Sequence, residues 1–164
     1  MSKARIALYA GSFDPPTLGH LDLIQRAANI FETVIVAVAQ NRAKTSLFSI
    51  EEKLEMLQEL VADLPNVRID HFSGLTVEFA RSQGAIALIR GLRVLSDFEF
   101  ELSMAINNQK LNPEVDTVCL MPSEPYLFLS SRQVKEIAAL GGTVSHYVTP
   151  SIEKRLHEKL LGTA

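Results

Sequence analysis

The chain has 164 residues, of which 47% are hydrophobic and 21% are charged, and its formal net charge at pH 7 is -3. These values are typical of one globular domain, and they exclude intrinsic disorder and a coiled coil. The negative net charge also argues against a protein that coats nucleic acid, because binding to a phosphate backbone requires clustered Lys and Arg.

Short apolar runs alternate with amphipathic stretches along the whole chain. Taken in order, the apolar runs predict five β-strands, at residues 5–10, 33–39, 66–72, 85–90 and 116–121. The stretches between them repeat apolar residues with the spacing of helices. Several strands are apolar at nearly every position, which indicates helices on both faces of the sheet. The sequence therefore predicts an α/β fold: one domain over residues 1–164, with an open, doubly wound, five-stranded parallel sheet and C-terminal helices.

Residues with capping preferences predict where two of the helices begin. Ser49 is followed three residues later by Glu52, and Ser96 is followed in the same way by Glu99. In a capping box, the first side chain accepts a hydrogen bond from the third helical N–H, and the second side chain accepts one in return. We therefore expect helices to start directly after Ser49 and directly after Ser96.

The apolar runs and the single cysteine indicate the compartment. No apolar run approaches the roughly 20 residues that cross a bilayer, and the first residues lack the apolar core of a signal peptide. Cys119 is the only cysteine, which excludes an internal disulfide and fits a reducing compartment. We expect a cytoplasmic protein, with the Cys119 thiol buried in its apolar strand.

The first strand is followed by the segment GSFDPPTLGH, from Gly11 to His20. In a doubly wound sheet, ligands bind beyond the carboxyl ends of the strands, where this segment lies. Thr17 is a suitable N-cap, which puts His20 in the first helical turn, where backbone N–H groups and the helix dipole favour an anion. Ser12 would offer a hydroxyl group from the end of the strand.

This segment resembles the T/H-x-G-H element of the nucleotidyltransferase superfamily, which has a Rossmann-like fold. Three further segments, at residues 47–57, 88–101 and 119–142, resemble the bacterial phosphopantetheine adenylyltransferase family in the same order and with similar spacing. The resemblance implies an enzyme that transfers the adenylyl group of ATP to 4′-phosphopantetheine, giving dephospho-coenzyme A and pyrophosphate. That reaction is the penultimate step of coenzyme A biosynthesis.

The resemblance also implies which residues form the site. His20 would stabilise the transition state of a direct in-line attack, with Lys44 and Arg93 as the other catalytic residues. The residues implied to bind ATP are Ser12, Phe13, His20, Gly91, Leu92, Arg93, Glu101, Tyr126, Leu127, Phe128, Leu129, Ser130, Ser131 and Arg132. Those implied to bind phosphopantetheine are Ser12, Lys44, Thr76 and Arg90.

The residue types agree with that chemistry. An attack of one phosphate on another requires no nucleophilic side chain, because catalysis rests on positioning and on stabilisation of charge. Arginine forks suit phosphate oxygens, and an arginine such as Arg90 at the end of an apolar strand requires a partner. Arg42 is an alternative cation to Lys44. The segment SSRQVKE, at residues 130–136, resembles the I-S-S-T-x-x-R element of related nucleotidyltransferases. Arg132 stands where that element has a small hydroxyl residue, and Lys135 stands at its last, basic position, so the roles of both residues stay open.

The remaining expectations concern cofactors and partners. The resemblance implies Mg2+ bound mainly through the phosphates of ATP, a homohexamer and feedback by coenzyme A, with no nucleic-acid or membrane partner. No Cys/His cluster has the spacing of a zinc site, and we predict no metal-binding side chains. Two alternatives stay open: adenylyl or cytidylyl transfer to another phosphorylated acceptor such as nicotinate mononucleotide, and a non-catalytic regulator that binds adenylates. A fragment of a class I aminoacyl-tRNA synthetase is a more distant third.

Overall fold

Five parallel strands form one sheet in the computed structural model, which describes residues 5–40, 45–93 and 95–162, with residues 95–97 described by their backbone alone. The strands are β1 (Ile6–Gly11), β2 (Thr33–Gln40), β3 (Val67–Ser73), β4 (Ala87–Gly91) and β5 (Asp116–Leu120). Their order in the sheet is β3-β2-β1-β4-β5. The predicted α/β fold is confirmed, and the predicted strand ends differ from these by at most two residues.

Helices lie on both faces of the sheet, four of them between the strands and two after the last strand. They are α1 (Leu18–Ile30), α2 (Ile50–Leu60), α3 (Thr76–Ser82), α4 (Leu95–Leu111), α5 (Ser131–Ala139) and α6 (Pro150–Leu161), and a short 3-10 helix covers Glu124–Tyr126. Side chains alternate along β1, so that Ala7 and Tyr9 pack with α1 while Leu8 and Ala10 pack with α3. A third apolar cluster joins α2 to the C-terminal helices α5 and α6.

The connections diverge at the pair β1 and β4. The chain leaves β1 through α1 towards β2, whereas β4 lies on the other side of β1 and continues towards β5. In doubly wound sheets a crevice opens beyond the carboxyl ends of two such strands. Here those ends are Gly11 and Gly91.

The two predicted capping boxes have different outcomes. At α2, the Glu52 N–H donates to the Ser49 hydroxyl at 3.2 Å and the Ser49 N–H donates to the Glu52 carboxylate at 2.7 Å, as predicted. The second prediction is wrong, because α4 begins at Leu95 and Ser96 already lies within its first turn. An N-cap requires a non-helical backbone, and a sequence pattern does not locate a helix end to the residue.

The prediction of a buried Cys119 is also wrong, since this residue is exposed. It lies on β5, an edge strand whose residues are half-buried or exposed. An apolar run does not by itself distinguish a central strand from an edge strand. Partial burial raises the pKa of the Cys119 thiol, and the charge of Glu101 adds to the effect.

Over the described ranges, no helix has both the length and the apolar character to span a bilayer.

Candidate active site

A cavity of about 350 Å3 opens beyond the carboxyl ends of β1 and β4. Its walls come from the loop before α1, the end of β4 and the segment before α5. The predicted residues that line it are Ser12, Phe13, His20, Arg90, Gly91, Arg93, Glu101, Tyr126, Leu129, Ser130 and Ser131. Most of the residues that the sequence implied to bind ATP are therefore brought together in space, although their roles stay predictions.

The first turn of α1 fixes the orientation of His20. Thr17 is the N-cap, its N–H donates to His20 Nδ1 at 2.9 Å, and the His20 N–H donates to the Thr17 hydroxyl at 3.3 Å. Because Nδ1 accepts a backbone N–H, the neutral ring carries its proton on Nε2. The ring therefore keeps one hydrogen-bond donor for the cavity that it lines.

The protonation state of His20 follows from its surroundings. Burial, and to a smaller extent the charge of Arg93, lowers the pKa of His20 from 6.5 to about 4. The imidazole is thus neutral at pH 7. A neutral ring with a proton on Nε2 donates a hydrogen bond to a phosphate oxygen without exchanging a proton with it.

Phe13 shapes the wall beside this histidine. Its backbone φ angle is 45°, in the left-handed region, and the residue is 2% exposed. The ring packs edge-on against His20, with the centroids 5.0 Å apart. A bulky residue in this conformation is strained, and such strain is held by surrounding packing and clusters at functional sites.

Gly91 lies close to helix α1, a contact that the sequence did not reveal. A Cβ atom added at Gly91 would lie 2.6 Å from Leu23 Cδ1 of α1. Gly91 also lines the cavity. A side chain at this position would have to displace the end of the Leu23 side chain, so the glycine lets α1 lie close to the end of β4.

Arg90 and Glu101 form an ion pair at the end of β4. Arg90 Nε and Nη2 each donate to a Glu101 carboxylate oxygen at 2.7 Å. Nη1 also reaches the Ala10 carbonyl oxygen at 3.4 Å. The hydrogen bond to Glu101 raises the pKa of Arg90, which keeps the guanidinium charged. The family resemblance assigned these residues to different substrates. The sequence indicated that Arg90 requires a partner, but it did not identify Glu101.

A second helix begins at the same cavity. Ser130 is the N-cap of α5 and accepts a hydrogen bond from the Gln133 N–H at 3.2 Å. The Ser131 hydroxyl donates to the Pro15 carbonyl oxygen at 2.7 Å, which ties α5 to the loop before α1. Arg93 Nη1 donates to the Leu129 carbonyl oxygen at 3.0 Å. Two helix N-termini and the cation of Arg93 therefore border one cavity, an arrangement that favours a polyanion.

Asp14, in the loop before α1, is a buried charged residue whose contacts the sequence did not predict. Its carboxylate accepts hydrogen bonds from the Leu47 and Phe48 N–H groups at 3.0 Å each and from Lys135 Nζ at 2.7 Å. Lys53 Nζ lies 3.9 Å away. Burial alone would raise the pKa of Asp14, but these hydrogen bonds together lower it. An acidic residue between Phe and Pro at a strand end was the available signal, because a charge buried there requires partners.

A neighbouring cavity of about 330 Å3 contains Thr76, which was predicted to bind the acceptor. It shares Ser12, Arg90 and Glu101 with the first cavity. Its other lining residues are mostly apolar and include Ala39, Leu88, Phe100, Met104 and Ala105. The two cavities thus have a common polar wall, and the second is suited to a longer, less polar group.

Some predicted residues do not line the first cavity. Leu92, Leu127, Phe128 and Arg132 are chain neighbours of lining residues but are absent from its wall. Arg132 pairs with Glu136 at 2.9 Å on the surface of α5. Lys44 and its alternative Arg42 lie outside the described residues.

The described ranges contain no group of three or more His, Cys, Asp or Glu side chains placed to hold a metal ion. A metal that enters with a nucleotide takes its ligands from phosphates and water.

Comparison with known proteins adds independent information. The family model described as cytidylyltransferase-like matches residues 8–137. A phosphopantetheine adenylyltransferase from Caldanaerobacter subterraneus subsp. tengcongensis is 54% identical over 94% of this chain and 97% of its own. One from Desulforudis audaxviator is 56% identical over 94% of this chain and 95% of its own.

A solved structure resembles the fold at low sequence identity. It is a bifunctional NMN adenylyltransferase/ADP ribose pyrophosphatase from Francisella tularensis, complexed with AMP and a manganese ion. The TM-score is 0.71 at 17% identity, over 96% of this chain and 52% of the other. At this identity the likeness supports the fold alone.

Proposed function

The chain belongs to the phosphopantetheine adenylyltransferase family, a group of nucleotidyltransferases, and we propose that it joins the adenylyl group of ATP to the phosphate of 4′-phosphopantetheine. The products are dephospho-coenzyme A and pyrophosphate, which makes this the penultimate step of coenzyme A biosynthesis. The observation that carries the proposal is the convergence of two helix N-termini, His20 and Arg93 on one cavity.

The two neighbouring cavities support a division between the substrates. We assign the first cavity to ATP, because the starts of α1 and α5 supply N–H groups for its phosphates. We assign the second, with its apolar lining and Thr76, to the pantetheine arm. The shared wall of Ser12, Arg90 and Glu101 then lies where the two phosphate groups meet.

In the proposed reaction, an oxygen of the acceptor phosphate attacks the α-phosphorus of ATP. A new P–O bond forms as the bond from the α-phosphorus to the bridging oxygen breaks, and pyrophosphate leaves with that oxygen. Negative charge develops on the oxygens around phosphorus. We propose that the His20 Nε2–H and the Arg93 guanidinium stabilise it as preorganised donors. We keep Lys44 as a further phosphate-binding cation.

We propose that Mg2+ binds together with ATP. It would be held by phosphate oxygens and water, where it supplies positive charge to the triphosphate. No step assigned to His20 or Arg93 depends on it.

Feedback by coenzyme A and a cytoplasmic location are proposed on family grounds. Competition assays with coenzyme A test the feedback, and cell fractionation tests the location.

The homohexamer is proposed as well, and helix α4 supports it. Phe98, Leu102 and Ile106 follow each other at helical spacing and are 49%, 47% and 46% exposed. Phe100 and Met104, on another side of the helix, line the cavity that we assign to the pantetheine arm. The face of Phe98, Leu102 and Ile106 is a contiguous exposed apolar surface outside that cavity, so a second copy of the chain is expected to cover it.

An acceptor assay tests the reaction. ATP is incubated with phosphopantetheine, with nicotinate mononucleotide or with neither, and pyrophosphate release is followed. We expect turnover with phosphopantetheine alone. Turnover only with nicotinate mononucleotide would show that the acceptor is wrong, and ATP binding without turnover on any acceptor would favour the regulator.

A further inference from the structure

The hydroxyl group of Tyr9 is a polar group at the site that the proposed mechanism does not use. Tyr9 lies on β1, is 7% exposed and lines the cavity that we assign to ATP. Among the described residues its hydroxyl has no hydrogen-bond partner. Within the same ranges, no side-chain nitrogen or oxygen atom is both sealed from the surface and unpaired. The Tyr9 hydroxyl must therefore border the cavity itself.

Packing alone does not account for a phenol at this position, since phenylalanine would fill the same space. The hydroxyl is open to the cavity, and a substrate that fills the cavity displaces the water there, so the hydroxyl then requires a partner on the substrate. The ring already has an aromatic neighbour, since the centroids of Tyr9 and Phe13 lie 5.4 Å apart in an edge-on arrangement. The ring therefore accounts for the packing, and the hydroxyl requires another explanation.

The charges around Tyr9 indicate what the hydroxyl contacts. Burial raises the pKa of the Tyr9 phenol, and this effect outweighs the opposing charges of Arg90 and Arg93. The carboxylate of Glu101 raises it further. The group thus keeps its proton and is available as a donor. Phosphate oxygens are the acceptors that a cavity with two arginines and two helix N-termini attracts.

We infer that the Tyr9 hydroxyl donates a hydrogen bond to a phosphate oxygen of the bound substrates, so that Tyr9 is a further binding residue of this site. The inference rests on the proposed function, which assigns phosphates to the cavity. That oxygen belongs to ATP or to the acceptor. The two sources share the same chemistry, and binding measurements separate them.

The test compares Tyr9→Phe with the matched control Tyr147→Phe. Tyr147 is partly buried in the apolar cluster of the C-terminal helices and does not line the cavity. Dissociation constants for ATP, phosphopantetheine and dephospho-coenzyme A are measured by calorimetry, together with kcat. We expect Tyr9→Phe to raise the dissociation constant of dephospho-coenzyme A about tenfold or more, as for the loss of a hydrogen bond to a charged group. The control should leave this constant unchanged.

The individual ligands locate the bond. Weaker binding of ATP alone places the phosphate oxygen on the nucleotide, and weaker binding of phosphopantetheine alone places it on the acceptor. A fall in kcat with unchanged dissociation constants places the bond in the transition state. Wild-type values of all three constants and of kcat in Tyr9→Phe would overturn the inference. An inactive wild type would instead remove the proposed function.

A measurement on the wild type covers the case in which Tyr9→Phe is unstable. The protein has three tyrosines, and their Cζ atoms are labelled with 13C. The Tyr9 resonance is expected to move when dephospho-coenzyme A is added, whereas that of Tyr147 is not. A Tyr9 signal that stays in place at saturation contradicts the hydrogen bond.

Discussion

The two ring nitrogens of His20 have different roles. Nδ1 accepts the Thr17 N–H in the capping box, and Nε2 carries the proton that is proposed to reach a phosphate oxygen. Substitution by asparagine separates these tasks, because the amide oxygen replaces Nδ1 as an acceptor while nothing occupies the position of Nε2. Alanine removes both.

We expect His20→Asn to lower kcat about 100- to 1000-fold, the usual effect of removing one preorganised donor. Its thermal midpoint should stay close to that of the wild type, whereas His20→Ala should lower both quantities. Pyrophosphate release and thermal denaturation measure them. An asparagine variant with wild-type kcat would exclude the proposed role of Nε2.

The lowered pKa of His20, about 4 instead of 6.5, predicts how stability depends on pH. Between these values the unfolded chain binds a proton on this ring that the folded chain does not. The free energy of unfolding therefore falls as the pH is lowered from 6.5 to 4, and this contribution levels off below 4. Urea unfolding at pH 7 and pH 5 should show a smaller loss for His20→Asn than for the wild type. Equal losses would contradict the lowered pKa.

At the scale of elements, Asp14 connects parts of the chain that are distant in sequence. Its carboxylate joins the loop before α1 to the start of α2, through Leu47 and Phe48, and to α5, through Lys135. The same loop accepts the Ser131 hydroxyl at Pro15. The relative placement of the two helix N-termini thus depends on a few buried polar contacts.

Asp14→Asn tests this connection. The variant leaves Lys53, whose side chain is 6% exposed, without its buried counterion. We expect the free energy of unfolding to fall by about 3 kcal/mol, as when one partner of a buried ion pair is removed. The KM for ATP should rise because α5 loses one of its two ties to the loop, while the hydrogen bond from Ser131 to Pro15 remains. Denaturant unfolding and steady-state kinetics measure the two effects.

Lys154→Ala is the matched control, since Lys154 pairs with Glu158 at 3.8 Å on an exposed helix surface. A surface pair of this kind contributes little, so both quantities should stay near wild type. An Asp14→Asn variant as stable as this control would show that the carboxylate does not hold the elements together.

At the scale of the whole molecule, α4 presents an apolar face formed by Phe98, Leu102 and Ile106. If a second copy covers this face, a charge in its centre must be buried without a partner on assembly. We expect Leu102→Glu to convert the proposed hexamer into smaller species. Light scattering after gel filtration measures the mass.

The control is Gln58→Glu, which adds the same charge at an exposed position of α2. It should keep the mass of the wild type. A monomeric wild type, or a Leu102→Glu variant of unchanged mass, would refute the role of this face.

Local patterns in the sequence predicted much of the fold and part of the site. Apolar runs located the ends of β1 and β4 to within two residues, and the cap at Thr17 placed His20 correctly, because both depend on neighbouring residues. The ion pair of Arg90 with Glu101 and that of Asp14 with Lys135 could not be predicted. They join different elements, and only the packed structure brings their charges together. Likewise, the composition of β5 did not reveal that the strand lies at the edge of the sheet.

The common wall of the two cavities, formed by Ser12, Arg90 and Glu101, has a consequence for inhibitors. A compound that tethers an adenosine mimic to a pantetheine mimic through a short anionic linker would occupy both cavities at once. Once its first half is bound, the second half is held at a high effective concentration, so the tethered compound should bind more tightly than either half alone.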